Sequence, residues 1–138
     1  MKNLLLMSLI LTFSMLAFQS TAQPSYRDGQ FYEGYVIKKD GTKEEGFIRY
    51  GSMAHNKNYL TFYKDKTNRK TKKKYKPKDV AGYKVGSEEY HTIRFGVIIK
   101  EYVFARLEVD GHIKTYSVAE EGEEGWKYVM ALKKGDGY

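Results

Sequence analysis

Residues 64–79 (KDKTNRKTKKKYKPKD) hold nine Lys or Arg and only two acids, Asp65 and Asp79, a net charge of +7. Ammonium and guanidinium groups gathered in this way neutralise phosphate or carboxylate. The candidate anion contacts are Lys66, Arg69, Lys70, Lys72, Lys73, Lys74 and Lys76. Beyond residue 22 the chain carries 23 basic and 17 acidic residues, a net of +6, so the excess sits in this one stretch. Three uses compete. Lysine on an exposed edge strand blocks pairing between sheets of neighbouring molecules. Clustered lysine also docks to anionic envelope material, such as lipid head groups, phosphorylated lipopolysaccharide or acidic glycan. Nucleic acid is disfavoured: Tyr63 and Tyr75 flank the run, but Arg69 is its one arginine, and base edges are read best by the guanidinium fork. The reading adopted is a solvated hairpin with a secondary role in electrostatic docking.

The other chemistry-bearing residues are sparse. His55, His91 and His112 have no second His or carboxylate at helical ligand spacing, and a metal site needs two or three ligands to converge. His91 falls on the side of Ile93 and Phe95, where a satisfied structural histidine is expected. Glu120, Glu121, Glu123 and Glu124 surround Gly122 but match no calcium-loop spacing, and read as a solvated acidic turn attracted to the lysine run. Trp126 and Tyr128 are candidates for an aromatic shelf against sugar rings, with core packing as the commoner role. Nucleophile-elbow, phosphate-loop and zinc-helix motifs are absent. Cysteine is absent too, which excludes disulfides, a thiol nucleophile and thiolate metal ligation. No catalytic residue, metal site or cofactor is assigned.

The elements that must position these residues begin after an export signal. Lys2 precedes an apolar run of fifteen residues, 4–18, broken by Ser8, Thr12 and Ser14. Ser20 and Ala22 are small residues at −3 and −1 of a cleavage point between Ala22 and Gln23. The run is shorter than the roughly 20 residues of a spanning helix. Residues 1–22 are therefore expected as a signal peptide, 23–30 as a flexible leader and 31–138 as a single β domain. Thirteen tyrosines and frequent glycines favour short strands and turns. Strands are expected over 31–38, 45–50, 58–64, 70–76, 80–85, 90–95, 98–109 and 112–118. The segment 126–133 is read as strand rather than short helix. Lys39-Asp40-Gly41 and Asp110-Gly111 are turn signals. In the longest strand, Val103, Ala105, Leu107 and Val109 share a face opposite Tyr102, Phe104 and Arg106. No helical stripe follows the signal. The fold expected is all-β, a small antiparallel barrel or a strongly curled single sheet of seven to nine short strands.

The strings GYVIKKDGTKEEGFIRY, YKPKDVAGYKVGSEEY and YVFARLEVDGHIKTY span residues 34–116. They resemble a group of small secreted proteins of unknown function from Gram-negative bacteria. The shared segment is Lys74, Tyr75, Pro77, Asp79, Val80, Gly82 and Tyr83. The resemblance implies export and a β fold, and brings no catalytic residues. The function expected is a non-enzymatic binding or interaction module of the cell envelope, in the periplasm or secreted and peripherally associated with the outer envelope. Its expected partners are anionic envelope lipid or glycan, or another envelope protein, with no membrane span after cleavage. The alternative is an exported hydrolase or lyase with an active site assembled from distant strands.

Overall fold

The computed structural model describes residues 25–96 and 98–134. The expected signal peptide and the cleavage point between Ala22 and Gln23 lie outside these residues. From Tyr26 onward the expected leader is tied to the sheet: the Tyr26 hydroxyl accepts from the Ser87 amide at 2.7 Å, and its ring stacks on Tyr50 at 5.0 Å.

Strand β1 (Phe31–Ile37) turns into β2 (Lys43–Arg49) through the expected Asp-Gly signal. Asp40 Oδ1 accepts from the Thr42 amide at 2.9 Å and its hydroxyl at 2.7 Å, while Gly41 takes a φ of 83°. A six-residue helix, α1 (Met53–Asn58), follows where the sequence reads as loop. No stripe can show in fewer than two turns. The helix is fixed by side chains: Ser52 accepts from the His55 amide, and buried Asn56 clamps Gly51 through its N–H at 3.0 Å and its C=O at 2.9 Å.

The remaining strands are β3 (Leu60–Tyr63), β4 (Lys72–Tyr75), β5 (Gly82–Val85), β6 (Glu88–Phe95), β7 (Glu101–Val109), β8 (Ile113–Gly122) and β9 (Gly125–Lys134). They form one antiparallel nine-stranded sheet in the order β4-β3-β2-β1-β5-β6-β7-β8-β9. The chain builds outward from β1 to β4, returns through a 3₁₀ turn at Pro77–Asp79, lays β5 on the free side of β1 and builds outward again. The Thr92 hydroxyl holds that return, shared between the carbonyls of Pro77 and Val80 at 2.8 Å each.

The barrel expectation is corrected: the sheet stays open, with β4 and β9 as its edges. Pro77 cannot donate to a ladder, so β4 stops after four residues. Its lysines make it a poor partner for β9, which itself carries Lys127 and Lys133.

Alternation along the strands gives two cores on opposite faces. The first gathers Val36, Ile48, Leu60, Phe62, Tyr83, Tyr90 and Phe104, all buried. Helix α1 lies on this side, where its Asn56 carbonyl accepts from the Tyr83 hydroxyl at 3.3 Å, and it reaches β7 and β8. The second core gathers Ile93, Val103, Ala105, Tyr116 and Val118. Strands β6 and β7 serve both, with Tyr90 and Phe104 to one side and Ile93, Val103 and Ala105 to the other. The expected partition of β7 holds as far as Leu107. Val109 departs from it because a bulge shifts the register between Leu107 and Val109, turning Val109 outward at 55% exposure.

Candidate anion-binding site

The β3–β4 hairpin carries the lysine run, and its register sorts the charges. Tyr63 pairs with Lys72, Phe62 with Lys73 and Thr61 with Lys74. Lys72 and Lys74 therefore share a face with Tyr63 and Thr61, and Lys73 lies on the opposite face, that of the first core. Lys73 donates to Glu44 at 3.0 Å, which also pairs with Lys38 at 3.1 Å. These two cations hold the Glu44 carboxyl below the usual carboxylate range. Lys74 lies over the Tyr59 ring at 3.7 Å, and Lys66 over Phe47 at 4.9 Å.

The hairpin tip is a built loop. Asp65 Oδ1 accepts from the Thr67 amide and hydroxyl at 2.9 and 2.7 Å. Asn68 Oδ1 accepts from the Lys70 amide at 3.1 Å, and the Thr71 hydroxyl is shared between the carbonyls of Asp65 and Asn68. The loop's small polar side chains thus satisfy its own backbone, which leaves the cationic ends facing outward.

Three of the seven candidate contacts, Lys66, Arg69 and Lys72, line one cleft of about 540 Å³. Arg49, at the end of β2, completes it, and Phe31, Tyr63 and Gly29 form the rest of the lining. Phe31 and Tyr63 meet edge to face at 5.1 Å. Arg49 is aimed by a hydrogen bond from its Nε to the Gly29 carbonyl at 3.4 Å. No carboxylate lines the cleft, and none of its four cations pairs with an acid among the described residues. A small adjoining cavity shares Arg49 but is also lined by Asp28, and there burial and then Lys74 hold His55 below its ordinary pKa. The other candidates stand apart: Lys73 is paired, Lys74 covers Tyr59, and Lys70 and Lys76 lie outside the cleft. Sequence reasoning missed Arg49. The only signal was its place at the end of a strand, and the register that brings it beside the hairpin is set by ten residues containing α1.

The second candidate group lies on β9, the opposite edge strand. Trp126 and Tyr128 occupy alternate positions on one face, each 38% exposed, and Met130 and Leu132 continue the row. The Arg106 guanidinium covers Tyr128 at 4.8 Å, so one face of that ring is occupied. The acidic residues at the β8–β9 turn form no ion pair with the lysine run among the described residues, whose recorded acid partner is Glu44. His91 has both ring nitrogens engaged, by Glu89 at 2.7 Å and Tyr116 at 3.0 Å. No helix among the described residues is long and apolar enough to cross a membrane.

Comparison with protein-family models, curated proteins and solved structures finds no match to this chain.

Proposed function

We propose that the protein is an exported, non-enzymatic binding module of the cell envelope that docks onto anionic lipid or glycan through its lysine-rich hairpin. The observation that carries this reading is the cleft of Arg49, Lys66, Arg69 and Lys72, four cations with no acid lining it. Like charges held together without a counter-ion repel one another, and an incoming anion relieves that repulsion. The aromatic floor of Phe31 and Tyr63 suits a group with an apolar ring or chain beside its charge. The sequence resemblance over residues 34–116 points toward export as well.

The test is sedimentation with vesicles. At low salt the protein co-sediments with vesicles rich in phosphatidylglycerol and stays in solution with pure phosphatidylcholine. Each cation near an anionic surface contributes roughly 1 kcal/mol, so changing all four cleft residues to Gln weakens binding by about a thousandfold. Lys73→Gln, which removes a cation already paired with Glu44, changes it by less than about threefold. Equal loss from Lys73→Gln and from a single cleft substitution removes the cleft from the proposal. Equal binding to neutral vesicles removes the proposal altogether.

A further inference from the structure

We infer that the trough beside the second core, along β6, β8 and β9, is a second ligand site, separate from the cationic cleft, for a single-chain anionic amphiphile such as a fatty acid. Two clefts, of about 760 and 590 Å³, adjoin there and share Thr92, Tyr102, Tyr116 and Lys133. Each falls in the size range of small-molecule sites. Their linings differ in a way that gives the trough two unlike ends.

At one end Lys39, Lys78 and Lys133 line the wall with a single carboxylate, Asp79. Asp79 Oδ2 already accepts the Lys76 amide at 2.8 Å. Three amines therefore face one partly used acid, an excess that suits a carboxylate or phosphate head. At the other end the walls are Ile93, Phe95, Ala131 and Leu132, with Arg94 and Glu120 of opposite charge, and Lys133 stands at the junction of the two ends. Leu132 is 74% exposed and Tyr102 53%, so large apolar side chains stand open to water beside the trough. Between the ends lie His91 and Tyr116, bonded to each other at 3.0 Å, with the second His91 nitrogen on Glu89. Their polar atoms are already partnered, so an alkyl chain laid over them leaves no buried polar group unsatisfied.

Charge at one end and apolar wall along the rest decide the ligand class. A sugar needs hydrogen-bonding groups along its whole length. A folded protein partner needs a broad surface rather than a trough.

Isothermal titration of the purified protein with laurate, below its micelle concentration, tests the inference. Laurate binds saturably at one per chain. Dodecanol, with the same chain and no charge, and butyrate, with the same head and a short chain, each bind at least tenfold more weakly. Changing Lys39, Lys78 and Lys133 together to Gln lowers laurate affinity at least tenfold and leaves dodecanol unchanged. Ala131→Trp, which fills the apolar end, lowers laurate affinity at least tenfold and leaves vesicle docking through the cationic cleft intact. Where circular dichroism shows that Ala131→Trp is unfolded, Leu132→Asp at the exposed rim gives the same reading by repelling the anion. Equal affinity for laurate and dodecanol, or laurate binding unmoved by these variants, overturns the inference.

Discussion

Glu88 shows how a charge is kept inside this sheet. Its Oε2 accepts from the hydroxyls of Tyr50 at 3.1 Å and Tyr90 at 2.9 Å, and its Oε1 from Arg106 at 3.1 Å. Burial pushes the Tyr50 phenol up to about 12, and burial raises Tyr83 and Tyr90 as well. The folded chain keeps these protons at a pH where the unfolded chain, with ordinary phenols near 10, releases them. The Tyr50 contribution to stability is complete below about pH 10 and is lost as pH rises through the window from 10 to 12. The melting temperature is therefore expected to drop steeply above pH 10, and Tyr50→Phe to make that drop shallower. A melting temperature that stays level up to pH 12 sinks this account. At this scale the sequence was legible in part. Lys66, Arg69 and Lys72 could be named because they crowd into one run. Arg49 and Glu44 could not, since their relation to the run depends on a register fixed across a helix.

The nine expected strand segments correspond to the nine strands, because period-two alternation and turn residues are local properties. What failed at the level of elements was also local. α1 is too short for a stripe, and Gly96, with a φ of 126°, turns the chain so that Ile98 and Ile99 lie 94% and 81% exposed before β7 begins. Closeness between strands has a further requirement that no pattern announces. At Gly34, where β1 meets β5, an added Cβ would sit 1.9 Å from the Lys84 carbonyl oxygen. Nothing lies within 4 Å of the same atom at Gly41, whose only demand is its positive φ. Gly41→Ala is thus expected to cost about 1 kcal/mol from left-handed strain alone. Gly34→Ala has to separate two hydrogen-bonded strands and costs severalfold more. Urea unfolding of the two variants decides the matter, and equal midpoints would contradict the close-packing argument.

For the molecule as a whole, the decisive feature is that one sheet lends its two faces to two cores. The sequence of β7 shows both sets of apolar residues, yet it cannot show which neighbours cover each side, because those come from strands on both arms of the sheet. Phe104 belongs to the first core and its neighbour Val103 to the second. Since β6 and β7 cannot leave one core without leaving the other, the two are expected to melt together. Phe104→Ala, at about 3–5 kcal/mol, and Val103→Ala, at a smaller cost, should each lower one shared calorimetric transition. Two separable transitions in either variant would show that the cores are independent.

The place of β5 beside β1 also governs the order in which structure becomes available during synthesis. The ribosome delivers the N-terminal strands first, yet the core that buries Val36 and Ile48 draws Tyr83, Tyr90 and Phe104 from much later in the chain. A nascent polypeptide ending at β4 has hairpins but nothing to seal them. A chain cut short after β4 would therefore stay open to proteases until the second arm of the sheet arrives.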